Sequence, residues 1–115
     1  MRVYVATTPA AVKRLLSESV TFEEYLTPEQ FEFEAGVSEE EQEHLISLLA
    51  ADDSIELNQG KAGLVIAADL QEEQLSESAF SLRFSQVAAL LYSVDGEELS
   101  WFAPEEIEHQ IDSWL

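Results

Sequence analysis

The order of apolar and polar positions predicts a chain in which strands and helices alternate. Residues 2–6 are rich in Val and Tyr and are followed by Thr7, Thr8 and Pro9, which predicts a buried first strand. A helix is predicted directly afterwards, because Thr8 suits an N-cap and Pro9 suits the first helical position. The apolar residues of this helix recur at helical spacing and are Val12, Leu15 and Leu16.

The longest predicted helix begins after Ser38, which suits an N-cap. Glu39, Glu40 and Glu41 follow it, and Glu41 completes a Ser-x-x-Glu capping box. Carboxylates in a first turn also stabilise the positive end of the helix dipole. The expected apolar face of this helix consists of Leu45, Ile46, Leu48 and Leu49.

Residues 20–36 are less clearly patterned. Thr27 and Pro28, followed by Gln30, repeat an N-cap signal. Residues 21–26 fit a strand or a turn of helix equally well, so no secondary structure is predicted for them.

Residues 62–68 are the clearest strand of the sequence. Their continuous apolar run is typical of a strand buried on both faces, and this favours a central strand parallel to the first. Helical residues between two such strands predict a right-handed β-α-β crossover.

The C-terminal third predicts a hairpin and a helix. Asp95 and Gly96 lie between two strand-like runs, which is typical of a tight hairpin turn, and residues 80–84 alternate like a half-buried strand. Pro104 begins a helix whose apolar stripe is expected to dock on the sheet; the stripe consists of Ile107, Ile111, Trp114 and Leu115.

These elements together predict an α+β fold. We expect a mixed sheet of about four to five strands with helices packed against it. The fold is expected to contain one β-α-β crossover and a C-terminal β-hairpin plus helix. The chain has the size of one ordinary domain, so residues 1–115 are predicted to form a single acidic domain.

Composition predicts a cytoplasmic domain. The chain has no Cys, which excludes disulfides, thiolate nucleophiles and Cys-ligated metals and fits a reducing compartment. No apolar stretch reaches the roughly 20 residues of a membrane span, and the N-terminal residues lack the order of a signal peptide. No membrane association is expected.

Charge is the most unusual property of the sequence. The 24 acidic residues against five basic ones give a formal net charge of −19, and residues 15–60 and 84–115 contain no Lys or Arg. Such a surface repels phosphates, so direct binding of nucleic acid is not expected. Glu39 to Glu41 at the start of the Ser38 helix, and Glu105 and Glu106 at the start of the Pro104 helix, are favoured there by the helix dipole and need no partner to explain them.

Four short segments resemble an uncharacterised family of small acidic actinobacterial proteins. They are MRVYV at residues 1–5, VIAAD at 65–69, VAA at 87–89 and ELSWFA at 98–103. Family members carry a longer acidic insert before the Glu-Leu-x-Trp-aromatic segment, where this chain has only Asp95 and Gly96 as a turn. The resemblance implies a bacterial cytoplasmic protein, and it transfers no activity and no catalytic residues.

A doubled Glu-x-x-His pattern is the one candidate metal site. Glu41 precedes His44, and Glu106 precedes His109, at the spacing by which two helices supply ligands to a di-metal carboxylate centre. Such a centre requires a four-helix bundle, which this sequence does not predict. With 19 Glu in 115 residues, chance produces the spacing about one time in six. Solvated histidines are therefore the favoured interpretation, and no cofactor is expected.

Acidic and aromatic residues supply a weak candidate surface for a partner. Because alternate strand residues face opposite sides, one of Trp101 and Phe102 should face the core, and core packing is favoured for Trp101. Packing within the domain is likewise favoured over a docking role for Trp114. The candidate partner-binding residues are Glu39, Glu40, Glu41, Glu43, Trp101, Phe102 and Trp114.

No set of residues compels a particular chemistry. The favoured hypothesis is a non-enzymatic cytoplasmic interaction or regulatory domain whose acidic surface binds a basic protein partner. The alternatives are a small metal-dependent enzyme using Glu and His, and a nucleic-acid mimic whose carboxylates stand in for phosphates. A further alternative is that the charge serves only solubility or tolerance of salt.

Overall fold

The computed structural model describes residues 1–75 and 78–115, which contain six strands and four α-helices. The strands are β1 (Arg2–Thr7), β2 (Val20–Phe22), β3 (Gly63–Asp69), β4 (Phe80–Leu82), β5 (Val87–Ser93) and β6 (Ser100–Phe102). The helices are α1 (Pro9–Leu15), α2 (Glu39–Leu57), α3 (Glu72–Leu75) and α4 (Pro104–Trp114). Single turns of 3₁₀ helix occupy Pro28–Gln30 and Phe84–Gln86. The predicted α+β class is confirmed.

Every strand pair is antiparallel. The main sheet has the order β1-β3-β5-β6, and β2 pairs with β4 in a separate two-stranded sheet. The predicted parallel crossover, and with it a mixed sheet, is therefore wrong: Arg2 stands opposite Asp69, and Thr7 stands opposite Leu64. A strand buried on both faces is apolar whichever way it runs. Its composition therefore could not show that β3 begins beside the end of β1, which makes the pair antiparallel.

The main sheet is covered on both faces. Val3 and Val5 of β1 pack with Leu64 and Ile66 of β3 against α1, α4 and the small sheet. The alternate residues Tyr4, Val65 and Ala67 pack instead against α2. The two faces of one sheet thus belong to two separate apolar clusters, and α2 and α4 lie on opposite sides of it.

Helix α2 approaches the sheet mainly through small residues, with Ile46 as the one large side chain among the buried residues described. Its buried residues are Ile46, Ser47, Ala50, Ala51 and Ser54. A side chain at Gly63 would place a Cβ atom 2.6 Å from the Ala51 carbonyl oxygen, so glycine permits this close approach. Leu45 and Leu49 are 45% and 44% exposed, so the prediction that they belong to the buried face is wrong.

The predicted helix starts at Thr8 and Ser38 are confirmed. The Thr8 hydroxyl accepts a hydrogen bond from the Ala11 backbone N–H at 3.3 Å, and the Ser38 hydroxyl accepts one from Glu41 at 3.2 Å. In the weakly patterned residues 20–36, the Gln30 side chain accepts from the Thr27 N–H at 3.1 Å in a single 3₁₀ turn.

The C-terminal hairpin is confirmed, but its turn is longer than two residues. Residues 94–99 connect β5 to β6, and the Asp95 carboxylate accepts hydrogen bonds from the backbone N–H groups of Glu97 and Glu98. These donors lower the pKa of Asp95. In α4, Ile107 and Ile111 are buried as predicted, whereas Leu115 at the end of the stripe is exposed.

Candidate binding groove

A groove of about 600 Å³ opens beside the outer edge of the main sheet. Tyr4 and Ala6 of β1 form its base, residues 21–26 form one wall, and the last two turns of α2 form the other. The lining residues are Tyr4, Ala6, Thr21, Phe22, Glu23, Glu24, Tyr25, Leu26, Asp53, Glu56 and Leu57.

The groove exists because residues 21–26 leave β1 after a single bridge. The Tyr4 N–H donates to the Leu26 carbonyl at 2.9 Å, and the Leu26 N–H donates to the Tyr4 carbonyl at 2.9 Å. Beyond this bridge the neighbouring residues diverge from β1, and β2 pairs with β4 instead. The edge of β1 at Ala6 therefore faces open space.

Aromatic contacts hold the first wall in place. Phe80 of β4 lies 6.1 Å from the ring centre of Phe22 and 5.8 Å from that of Tyr25, which it meets edge to face. Both arrangements are within the favourable range for aromatic pairs. Phe22, Tyr25 and Leu26 are half-buried, so this wall offers apolar and aromatic surface together.

Carboxylates line both walls. Glu23 and Glu24 project from the first wall, and Asp53 and Glu56 project from α2; all four side chains are exposed. Neither Lys nor Arg is among the described residues that line the groove. Carboxylates around a concavity concentrate a negative potential inside it.

Arg2, the basic residue closest in sequence to the β1 edge, is already in an ion pair with Asp69. Arg2 donates two hydrogen bonds to the Asp69 carboxylate, from Nε at 2.7 Å and from Nη2 at 3.1 Å. This contact lowers the pKa of Asp69.

Burial raises the pKa of the Tyr4 phenol, and the charge of Glu43 raises it further. Glu43, a predicted partner-binding residue, is thus half-buried beside Tyr4.

The predicted metal ligands are not brought together. His44 lies on α2 and His109 on α4, on opposite sides of the main sheet. Glu106 instead accepts a hydrogen bond from the Ala103 N–H at 3.0 Å and caps α4. No group of three or more His, Asp or Glu side chains suited to a metal ion occurs within residues 1–75 and 78–115.

The predicted aromatic partner residues separate into two kinds. Trp114 stacks on Tyr92 at 5.3 Å and meets Phe102 edge to face at 5.2 Å, so it packs within the domain as favoured. Trp101 points to the other side of β6 and is 61% exposed, so the prediction of core packing is wrong for it. Helix α2 packs chiefly on β1, β3 and β5, which explains why Trp101 is left uncovered.

The predicted acidic residues at the start of α2 are exposed. Glu40 and Glu41 line a smaller hollow of about 370 Å³ together with Ser38, His44 and Leu45, and Glu39 is exposed beside them. This hollow offers acids from one wall only.

The sequence does not predict that the residues of the two walls of the larger groove form one site. Their acids lie within the Lys- and Arg-free residues 15–60, which is the one signal that the sequence carries for them. Residues 21–26 and the end of α2 are about 30 positions apart, and no local pattern shows that they face each other.

Comparisons of the chain with protein-family models, with curated proteins and with solved structures found no match. Across the described residues, none of the helices is long and apolar enough to cross a bilayer. The assignment of a function therefore depends on the groove itself.

Proposed function

We propose that this protein is a non-enzymatic interaction domain of the cytoplasm whose groove binds a basic segment of a partner protein. The observation that carries the proposal is the presence of carboxylates on both walls: Glu23 and Glu24 line one wall, and Asp53 and Glu56 line the other. A Lys or Arg side chain between the walls is attracted from both sides, and partial enclosure strengthens that attraction relative to open surface.

The apolar surface of the groove suits the rest of a basic side chain. Lys and Arg carry long hydrocarbon stems that pack on apolar surface while the charged end stays near water. Phe22 and Leu26 offer such surface, and the ring of Tyr25 offers a face for a cation. A simple anion-repelling surface would need neither feature.

Glu56 of the α2 wall does not lie where a helix favours an acid. Glu39, Glu40 and Glu41 lie in the first turn of α2, where the helix dipole favours carboxylates. Glu56 lies in the last turn, where the dipole disfavours them, and no basic residue accompanies it there. Its position therefore supports a role in binding a cation.

The same potential opposes nucleic acids and anionic membranes. Phosphates on either would be repelled by a chain of net charge −19. A basic protein segment, in contrast, is complementary to the groove in charge.

Binding is tested by NMR titration of the full chain with a short blocked oligolysine peptide and with an oligoarginine peptide of equal length. Amide signals of Tyr25, Leu26 and Leu57 should shift, whereas signals of the exposed α4 surface should not. Affinity should fall as salt is raised, because the attraction is electrostatic and screened over about 10 Å at 0.1 M ionic strength.

A charge-matched pair of variants separates the groove from the total charge. The groove variant carries Glu23→Gln, Glu24→Gln, Asp53→Asn and Glu56→Gln, and the control carries four Glu→Gln changes at exposed acids elsewhere, at positions 32, 34, 72 and 108. The groove variant should lose binding and the control should keep most of it. Equal loss in both variants, or no binding by the unmodified protein, would refute the proposed site.

A further inference from the structure

The edge of β1 has main-chain groups that point into the groove. Both main-chain groups of Tyr4 bond to Leu26, so they point away from β3. Residues two apart in a strand direct these groups to the same side. The N–H and C=O of Ala6 therefore also point away from β3, at the place where Ala6 lines the groove.

These two groups lack a strand partner. If the bridge between Tyr4 and Leu26 continued as an antiparallel ladder, Glu24 would stand opposite Ala6. Residues 23–25 instead lie outside any strand, and Glu24 belongs to the wall of the groove. Within the described residues, the main chain of Ala6 makes no hydrogen bond on this outward side of β1.

We infer that the basic segment binds as an added strand, with its main chain hydrogen-bonded to Ala6. This inference rests on the proposed function and adds the mode of recognition to it. Strand addition at an open sheet edge supplies main-chain hydrogen bonds for affinity and side-chain pockets for specificity. The acidic walls then select which strand is bound.

The geometry also indicates how basic residues are spaced in the bound segment. The ligand residue opposite Ala6 points to the same face of the sheet as Ala6, which is the α2 face that carries Asp53 and Glu56. Its two neighbours point to the opposite face, where Phe22 and Tyr25 pack with the other apolar cluster and Glu23 and Glu24 adjoin them. Because acids lie near both faces of the sheet at this edge, the groove fits a segment with consecutive Lys or Arg residues rather than one in which they alternate with other residues.

Two measurements test strand addition. The first compares, on the unmodified protein, the oligolysine peptide, the same peptide with N-methylated main-chain nitrogens, and spermine, which is cationic without a peptide main chain. The second measures the unmodified peptide on Ala6→Pro, which removes the N–H that points to the groove. Proline is tolerated at such an outward position of an edge strand, and the β1–β3 ladder uses the alternate residues.

N-methylation of the peptide and Ala6→Pro should each weaken binding about tenfold. This is the loss of affinity expected when one or two main-chain hydrogen bonds are removed. The Ala6 amide should also become protected from hydrogen exchange when the peptide is bound. If the N-methylated peptide binds the unmodified protein as tightly as its parent, strand addition is wrong while the acidic groove stands. If no cationic probe binds, the proposed function itself fails. The N-methylated peptide decides the question even if Ala6→Pro does not fold.

Discussion

The hydroxyl of Ser54 on α2 donates a hydrogen bond to the carbonyl oxygen of Thr7 at the end of β1, at 2.5 Å. The same hydroxyl accepts a hydrogen bond from the backbone N–H of Leu64 on β3 at 2.7 Å. Ser54 is fully buried, and Thr7 and Leu64 stand opposite each other in the sheet. One side chain therefore joins the helix to the ends of two strands and satisfies both of their backbone groups.

Replacement Ser54→Ala should lower the free energy of unfolding by about 1 to 3 kcal/mol, because a buried N–H and a buried C=O lose their partner. The measurement is chemical denaturation followed by circular dichroism. Ser47→Ala is a matched control in the same helix, since the buried Ser47 hydroxyl donates to the Glu43 carbonyl one turn earlier and, among the residues described, does not bond to a strand. That change should be nearly neutral. A Ser54→Ala effect no larger than that of Ser47→Ala would contradict the bridging role.

Replacement Thr7→Val should stabilise the fold. Thr7 is 2% exposed, and its hydroxyl has no hydrogen-bond partner within residues 1–75 and 78–115. Valine has the same shape and removes the unsatisfied hydroxyl, so the free energy of unfolding should rise by about 1 kcal/mol. In contrast, Thr8→Val removes the N-cap of α1 and should lower it by about 1 kcal/mol. A loss of stability in both variants would show that the Thr7 hydroxyl is satisfied in solution.

The ion pair between Arg2 and Asp69 should make a small contribution that depends on pH. The contact with Arg2 lowers the pKa of Asp69 below its ordinary value of 3.8. The pair therefore stabilises the fold above that value, and its contribution disappears as pH falls through the lowered pKa of the folded state. Asp69→Asn should cost about 0.5 kcal/mol at neutral pH, because exposed pairs are screened, and nothing in strong acid.

Denaturation of Asp69→Asn and of the unmodified protein across the acidic range checks this prediction. Asp112→Asn serves as the control, because its pair with Lys13 has a single contact of 3.0 Å between more exposed side chains. A difference between Asp69→Asn and the unmodified protein that grows on acidification would have the wrong sign for the pair.

The acid at the end of α2 should reduce stability. Glu56→Gln removes a negative charge from the C-terminal end of the helix dipole, so the free energy of unfolding should rise by about 0.5 kcal/mol. Glu39→Gln removes one from the N-terminal end and should lower it by a similar amount. Both differences should shrink in high salt. Equal effects of the two changes would show that total charge, rather than position, determines stability.

Signals that act between neighbours in sequence were predictable. The N-caps at Thr8 and Ser38 depend on a hydroxyl and an N–H three residues away, and the start of α4 depends on Pro104. The α+β class followed from the order of these elements. For the candidate site, the sequence showed only that residues 15–60 contain acids without Lys or Arg.

Features that depend on residues far apart in sequence required the folded chain. The antiparallel direction of β3 depends on the path of the chain between α1 and α2, and the exposure of Trp101 depends on how far α2 extends across the sheet. The groove likewise forms only when residues 21–26 and the end of α2 meet beside β1. An apolar side chain is predicted to be buried, but the sequence does not identify the surface that covers it. The reason is that hydrophobic attraction is not directional.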